Sequence, residues 1–183
     1  MLLKILFVRH GETDWNRRGK IQGGADIPLN AAGMRQAAAL RAKLQGRMPD
    51  CIVSSPLRRA LQTAEQIAAG AGIPIEQDPR LAERGYGAYE GRLFSAVDFS
   101  GIWYPGGTHI PPGIEPLDSF VQRVAAAFRD ICIRHANERV LVVSHGGVSI
   151  AASILLYHTP QNPSAKELYI DNSSVAEYEI NPL

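Results

Sequence analysis

The sequence lacks the features that mark disulfide-rich proteins, membrane proteins and nucleic-acid binders. Only 2 of its 183 residues are cysteine, which is too few for a disulfide framework. No apolar run approaches the ~18 residues that a membrane-spanning helix needs. The formal net charge is +1, from 19 basic and 18 acidic side chains, with no basic tail or stripe. We therefore expect neither a nucleic acid nor a membrane surface as partner.

Targeting signals, repeats and low-complexity segments are also missing. The amino-terminal apolar run is short and ends in Arg9-His10, unlike a signal peptide, so we expect a cytoplasmic location. Hydrophobic residues make up 45% of the chain and charged residues 20%, an ordinary globular balance. The length suits one domain over residues 1–183. The sequence leaves the oligomeric state open, a homodimer included.

The two cysteines and three of the five histidines carry no pattern that indicates a site. Cys51 precedes Ile52-Val53 and Cys132 lies between two isoleucines. We expect both thiols to act as small buried apolar groups, not as metal ligands or a disulfide. The remaining set, expected to be structural or exposed, is His109, His135 and His158.

Short apolar runs alternate with helical patterns along the chain. Residues 3–9, 51–53 and 140–143 are typical of strands buried on both faces, and residues 175–180 alternate like an edge strand. Helical periodicity follows Asn30 and Pro56, begins near Asp118 and resumes after Gly147. This order predicts an α/β fold, a three-layer α/β/α sandwich with a mostly parallel central sheet.

One segment interrupts this alternation. Residues 91–116 are rich in glycine and proline and carry several aromatic side chains, Trp103 and Tyr104 among them. We expect this segment to be an excursion over the sheet edge that acts as a lid.

Polar residues follow each of the three predicted parallel strands. They are Arg9-His10-Gly11, then Ser54-Ser55 with Arg58 one turn into the next helix, then Ser144-His145-Gly146. Ligands of open α/β sheets bind beyond the carboxyl ends of the strands, so we expect these groups to form one site. The helix starts after Pro56 and Gly147 should add backbone N–H donors.

This combination of residues suits phosphoryl chemistry. Guanidinium groups match phosphate oxygens, and a neutral imidazole can attack phosphorus as a covalent nucleophile. Nearby guanidinium charge lowers a histidine pKa and keeps the ring unprotonated. Glu83 is the candidate general acid for the leaving oxygen. Arg59 is expected to face solvent, and a zinc site at His10 and His145 lacks a third ligand.

The ordered motifs closely resemble the histidine phosphatase superfamily, also called the phosphoglycerate mutase-like family. The matching segments run along almost the whole chain: residues 9–16, Gln22-Gly23, Ser54-Ser55-Pro56-Leu57-Arg58-Arg59-Ala60, Leu81-Ala82-Glu83, Val143-Ser144-His145-Gly146-Gly147 and Asn172-Ser173-Ser174. A lone Arg-His-Gly is a weak signal, but the full series in this order is specific.

The resemblance implies a role for each site residue. His10 would be the phosphorylated nucleophile, with Arg9, Arg58 and His145 binding the transferring group. Glu83 would donate a proton and later activate water. Further expected phosphate or substrate contacts are Gly11, Asn16, Gln22 and Gly146, although Asn16 and Gln22 could instead stabilise their loop. No metal ion is implied, and we expect no cofactor.

Phosphatase and mutase activities both occur in this family. Residues 93–122 contain no lysine or arginine, whereas a mutase must hold a second anionic group, so the sequence favours a phosphatase. Glu83-Arg84 resembles the mutase form of that motif, which keeps a cofactor-dependent phosphoglycerate mutase as the alternative.

The physiological substrate stays open at this point. We expect a small phosphorylated metabolite, with α-ribazole 5′-phosphate and a broad range of phosphomonoesters as equal candidates. A catalytically silent phospho-ligand binder is the hypothesis from another class, although every core residue of the motif is in place.

Overall fold

A computed structural model describes residues 3–99, 102–103, 112–157 and 170–180. The helices and strands in chain order are β1 (Leu3–Arg9), α1 (Asp14–Arg17), α2 (Ala31–Lys43), β2 (Cys51–Ser54), α3 (Arg58–Ala68), β3 (Ile75–Gln77), α4 (Leu117–Arg134), β4 (Val140–Ser144), α5 (Gly146–Tyr157) and β5 (Val175–Ile180). Short 3₁₀ turns cover Pro79–Leu81, Gly87–Tyr89 and Phe94–Ala96.

The sheet has the order β3-β2-β4-β1-β5. The first four strands in that order are parallel, and β5 runs antiparallel to β1 at the edge. The prediction of a mostly parallel sheet with a late edge strand is therefore confirmed. Because β1, β2 and β4 are neighbours, their carboxyl ends meet at one edge of the sheet.

Apolar side chains cover both faces of the sheet and make the three layers. One face packs Ile5, Phe7, Val53 and Val142 against α4 and α5, and the other packs Leu6, Val8, Ile52 and Leu141 against α2 and α3. The strands are apolar on both sides because helices cover both sides. Cys51 and Cys132 are buried free thiols in the core between the sheet and helices α4 and α5.

The helix boundaries follow the capping signals of the sequence. Asn30 caps α2, and its side chain accepts a hydrogen bond from the Gly33 N–H at 2.8 Å, which satisfies one of the free N–H groups of the first turn. α4 begins one residue before the predicted Asp118. Within the described residues, no helix is both long and apolar enough to cross a membrane.

The described part of residues 91–116 packs on a small apolar cluster of its own. This cluster contains Ile21, Tyr86, Ile102 and Ile114. Trp103 packs against it and against the main core, where its ring lies edge-on to Phe120. The lid function remains a prediction, and Tyr104, His109 and His158 lie outside the described residues.

Two glycines bring the loop after β1 against the start of α2. A Cβ on Gly33 would lie 2.1 Å from the Glu12 carbonyl oxygen, and one on Gly11 would lie 2.6 Å from the Gly33 carbonyl oxygen. Both partners are backbone atoms that cannot rotate away. The close approach of the loop after His10 to the start of α2 therefore requires glycine at both position 11 and position 33.

Replacing Gly33 by alanine should destabilise the fold although alanine favours helices. Helix propensity alone would stabilise by about 1 kcal/mol, but the clash with Glu12 should lower the free energy of unfolding by roughly 1–3 kcal/mol. Urea denaturation measures this change. Gly24→Ala is the matched control, because its Cβ would meet nothing closer than 3.6 Å. Equal stability of the two variants would contradict the steric explanation.

Candidate active site

The residues that end β1, β2 and β4 meet at one buried place. His10 is hydrogen-bonded through its backbone N–H to the Ser144 carbonyl oxygen at 3.0 Å, and its ring centroid lies 5.2 Å from that of His145. His10 is 2% exposed and His145 is fully buried. The predicted convergence of these strand ends is confirmed in the geometry.

The His10 ring is oriented by its own neighbour. Its Nδ1 lies 2.7 Å from the Gly11 carbonyl oxygen. A carbonyl only accepts, so Nδ1 carries the proton and Nε2 keeps its lone pair. Burial lowers the pKa of His10 well below its usual value, and the charges of Arg59 and Arg9 lower it further. The ring is therefore neutral near pH 7, with a nucleophilic nitrogen.

The His145 ring has a matching arrangement. Its Nε2 lies 2.7 Å from Ser55 Oγ, which also accepts a hydrogen bond from the Leu57 N–H. The tautomer with the proton on Nδ1 lets the Ser55 hydroxyl donate to Nε2 and leaves the Nδ1–H group to an anion. That nitrogen is buried without a hydrogen-bond partner among the described residues. Burial lowers the pKa of His145, followed by the charges of Arg59, His10 and Arg9.

The arginine that reaches the site from α3 is Arg59, not Arg58. Arg58 is exposed, and its backbone N–H donates to Asp26 Oδ1 at 2.7 Å. Arg59 is fully buried, and its charge acts on both histidine rings. The sequence-based assignment of Arg58 to the site and of Arg59 to solvent is therefore corrected by the side-chain positions.

Backbone carbonyls hold the Arg59 guanidinium in place. Nη1 donates to the Ala25 carbonyl oxygen at 2.7 Å and Nη2 to that of Gly23 at 2.8 Å. Nε is buried and has no partner in the described part of the chain. Burial lowers the pKa of Arg59 to about 10, whereas the Glu83 charge acts in the opposite direction. The group stays cationic at neutral pH, with Nε as its one nitrogen that has no partner among the described residues.

Helical periodicity carries the signal that distinguishes the two arginines. Ala60, Ala64 and Ile67 form the buried face of α3, and Thr63 lies four residues after Arg59. Residues four apart share a helix face, so Arg59 belongs to the inner face and Arg58 does not. Thr63 Oγ1 also accepts a hydrogen bond from the Gly11 N–H at 3.0 Å and donates to the Arg59 carbonyl at 2.7 Å.

Glu83 is brought beside the start of α5. Its Oε2 accepts from the Gly147 N–H at 3.0 Å and its Oε1 from the Arg84 N–H at 2.9 Å. A Cβ on Gly147 would lie 2.2 Å from Glu83 Oε1 and 3.1 Å from the Trp103 ring. Two of the backbone N–H groups that were expected to bind phosphate at the helix starts therefore already have acceptors. The Gly147 N–H donates to Glu83, and the Arg58 N–H donates to Asp26.

Arg123 on α4 fixes the loop that carries Glu83. Its guanidinium donates to the carbonyl oxygens of Arg80, Ala82 and Glu83 at 2.7, 2.8 and 3.1 Å, and it pairs with Glu115. Arg123 cannot be recognised from the sequence, because a polar side chain on an amphipathic helix has the same pattern as a solvent-facing one.

The remaining predicted contacts are distributed around these groups. Arg9 is 5% exposed and donates to the Ile170 carbonyl oxygen at 2.9 Å. The side-chain oxygens of Asn16 and Gln22 lie 2.9 and 3.0 Å from Thr13 Oγ1, so these oxygens stabilise the loop, and contact with substrate remains a prediction. Gly146 opens α5. Asn172 Nδ2 donates to the His10 carbonyl oxygen at 2.8 Å.

Comparison with known proteins places this site in a family. The model of the histidine phosphatase superfamily (branch 1) matches residues 5–182. A Bacillus subtilis (strain 168) phosphatase named PhoE is 39% identical over 142 residues, which cover 78% of this chain and 71% of that protein. A Proteus mirabilis (strain HI4320) protein named probable phosphoglycerate mutase GpmB is 34% identical over 193 residues, covering 99% of this chain and 87% of the relative.

A solved structure extends the likeness to the fold. The α-ribazole phosphatase from Shigella flexneri superposes with a TM-score of 0.79 at 28% sequence identity, covering 98% of this chain and 91% of the other. The mixed α/β fold and the family resemblance read from the motifs are thereby confirmed.

The two arginines at the start of α3 should behave differently when replaced. Arg59→Ala should lower kcat on the order of 10³-fold, as losing an arginine does in other phosphoryl transfers. Arg58→Ala is the matched control and should change kcat less than about threefold, as expected of a surface change. Steady-state rates with p-nitrophenyl phosphate measure both. A larger loss of kcat with Arg58→Ala than with Arg59→Ala would show that Arg58 is the active-site arginine.

The buried histidines should make the fold less stable in acid. Their folded pKa values lie below the unfolded value of about 6.5, so below pH 6.5 the unfolded chain binds more protons. The free energy of unfolding should fall with pH there by up to about 1.4 kcal/mol per pH unit for each ring. Urea denaturation at pH 7.5 and 5.5 measures it. His10→Gln should reduce this slope; an unchanged slope would refute the neutral ring.

Proposed function

This chain belongs to the histidine phosphatase superfamily (branch 1), and from that premise we propose that it is a phosphatase that hydrolyses small phosphomonoesters through a phosphohistidine on His10. One observation carries the proposal: the His10 Nδ1 proton is held by the Gly11 carbonyl at 2.7 Å, inside a buried site with two guanidinium groups. This arrangement leaves Nε2 as the nucleophile.

The reaction proceeds in two steps from these positions. In the first, His10 Nε2 attacks phosphorus while Glu83 protonates the leaving oxygen. Arg9, Arg59 and the His145 Nδ1–H group stabilise the phosphoryl oxygens. In the second, Glu83 takes a proton from water, which attacks phosphorus and releases His10. Each guanidinium at about 4 Å contributes roughly 4 kcal/mol of attraction at an effective dielectric of 20.

The donor set suits an anion, not a metal ion. Guanidinium groups stay protonated and cannot act as ligands. Of the two histidines, His10 Nδ1 and His145 Nε2 are already committed to Gly11 and Ser55. The positive charge of Arg59 would also repel a cation. We therefore propose that the reaction needs no metal ion.

A phosphatase assay in the presence of EDTA tests this proposal directly. The full chain should hydrolyse p-nitrophenyl phosphate with unchanged rate after EDTA treatment, and His10→Ala should lose several orders of magnitude in kcat because the covalent path disappears. No hydrolysis of any phosphomonoester by the folded protein would favour the silent phospho-ligand binder. Loss of activity in EDTA would point to a metal-dependent hydrolase.

Phosphoglycerate mutase activity is the second candidate, and one contact favours it. Arg84 is fully buried, and its guanidinium donates to the carbonyl oxygens of Glu115 and Ile102 at 2.8 and 2.6 Å. Its Nη2 is buried without a partner among the described residues, so this nitrogen could hold a second anionic group. Isomerisation of 3-phosphoglycerate in the presence of 2,3-bisphosphoglycerate would establish this activity.

The phosphatase remains the better-supported function because Arg84 is largely committed elsewhere. Two of its donors hold backbone carbonyls, and its guanidinium carbon lies 5.0 Å from the centre of the Trp103 ring. Residues 93–122 supply no further cation. The site therefore offers strong binding for one phosphoryl group and little for a second.

The substrate body should contact an apolar wall. Trp103 is half-buried, and its ring edge approaches the place where Glu83 and Gly147 meet. A partly apolar wall suits a substrate with a nonpolar or nucleoside-like body. α-Ribazole 5′-phosphate has such a body, and the structural relative from Shigella flexneri is named for it. Relative kcat/KM values for α-ribazole 5′-phosphate, phosphoserine and small sugar phosphates would show whether the enzyme prefers the first of these esters or accepts all of them.

Glu83→Gln should affect esters according to their leaving groups. An alkyl phosphate needs a proton on the leaving oxygen, so its kcat/KM should fall by about 10²-fold or more. p-Nitrophenolate leaves without help, and its kcat/KM should fall much less. The comparison uses kcat/KM because this constant reports the steps up to formation of the phosphoenzyme. Equal losses for both esters would contradict the role of Glu83 as proton donor.

A further inference from the structure

Three side chains that can bind metal ions meet on the sheet face that α4 covers. They are Cys51 at the start of β2, Glu76 in β3 and His135 directly after α4, and we call them the Cys-Glu-His cluster. One donor atom from each side chain lies within 4.8 Å of the other two. Ser54 ends β2 beside the active site, so Cys51 stands roughly 10 Å away along the strand. The cluster is therefore separate from the phosphoryl site.

The separations within the cluster are close to those around a bound ion. Cys51 Sγ lies 3.8 Å from Glu76 Oε1, and Glu76 Oε2 lies 3.6 Å from His135 Nε2. Tetrahedral zinc, with bonds of about 2.0–2.3 Å, spaces its sulfur, nitrogen and oxygen ligands by about 3.3–3.6 Å. These two distances involve different oxygens of Glu76, and one donor atom from each residue spans up to 4.8 Å, so the side chains must draw together by about 1 Å to reach the spacing of zinc ligands.

The His135 ring is oriented as a ligand. Its Nδ1 lies 2.8 Å from Glu138 Oε2, and the carboxylate accepts the Nδ1 proton. In the neutral ring the lone pair then lies on Nε2, which faces Glu76 Oε2 at 3.6 Å, is buried and has no hydrogen-bond partner within the described ranges, in a residue only 6% exposed. A buried nitrogen left in this state costs stability unless something binds it. A carboxylate behind the other ring nitrogen is the usual support of a metal-bound histidine.

The surrounding charges match a divalent cation. Glu76, Glu138 and a Cys51 thiolate would carry three negative charges. Arg134 offsets one of them, because its guanidinium is paired with Glu76 Oε2 from the solvent side. The remaining charge equals that of a divalent ion with opposite sign. Arg134 also holds the Glu76 carboxylate, so its Oε1 stays turned toward Cys51.

We propose that the Cys-Glu-His cluster binds a thiophilic divalent cation, with Zn²⁺ the best match, and so ties the edge strand β3 to the end of α4. Zinc accepts sulfur, nitrogen and oxygen ligands in one site. Three protein ligands leave a fourth position for water. Binding releases the Cys51 thiol proton to solvent. This site is structural and does not depend on the proposed phosphatase activity.

Cobalt substitution tests the ligand set through a signal that only a thiolate gives. We expect the metal-free full chain to bind one equivalent of Co²⁺ with a sulfur-to-cobalt charge-transfer band in the near ultraviolet. Cys51→Ser should abolish the band, and Cys132→Ser is the matched control that should keep it, since the chain has no other cysteine. A folded wild type without the band, or a band that survives Cys51→Ser, would overturn the proposal.

Two further variants keep the test informative if Cys51→Ser does not fold. Glu76→Gln and Glu138→Gln retain the thiol and should weaken Co²⁺ binding tenfold or more, the second because it removes the support of His135. Unchanged affinity in both would overturn the assignment. Equimolar Zn²⁺ should also raise the Tm of the wild type and of Cys132→Ser but not of His135→Gln, while p-nitrophenyl phosphate hydrolysis stays unchanged. An equal rise in all three proteins would place the ion elsewhere.

Discussion

The hydrogen bond between the His10 ring and the Gly11 carbonyl oxygen is the contact on which the proposed chemistry depends. It fixes the proton on Nδ1 and leaves the lone pair on Nε2. The backbone that supplies this carbonyl is itself held tightly. The Gly11 N–H donates to Thr63, Asn172 donates to the His10 carbonyl, and Gly33 allows α2 to approach. The fold therefore sets the state of one imidazole ring through contacts from three separate elements.

Burial and positive charge act in the same direction on this ring. Desolvation lowers the pKa of His10, and Arg59 and Arg9 lower it further. In the proposed mechanism the same guanidinium groups that keep the ring neutral also bind the phosphoryl dianion. Arginine suits this place better than lysine, because Arg59 donates from two nitrogens to fixed carbonyls while its third nitrogen has no partner among the described residues. In this mechanism, site preorganisation and nucleophile activation share one set of charges.

Sequence patterns could predict the parallel strands and the polar residues at their carboxyl ends, because a buried run that stops at a polar residue marks the active edge of a parallel sheet. They could not assign every side chain. Arg58 and Arg59 are adjacent, and only the phase of α3, read from Ala60 and Ala64, separates the inner residue from the outer one. The role of Arg123 could not be predicted, because this side chain acts by donating hydrogen bonds to backbone carbonyls of a loop that is distant in sequence.

In the proposed mechanism, His10 carries the phosphoryl group during turnover. Rapid quenching of the enzyme in alkali, which preserves phosphohistidine, followed by peptide mass spectrometry measures this most directly. We expect one phosphoryl group on the peptide that contains His10, formed faster than steady-state turnover and then hydrolysed by water. Full turnover without a phosphorylated peptide, or with the group on His145, would contradict it.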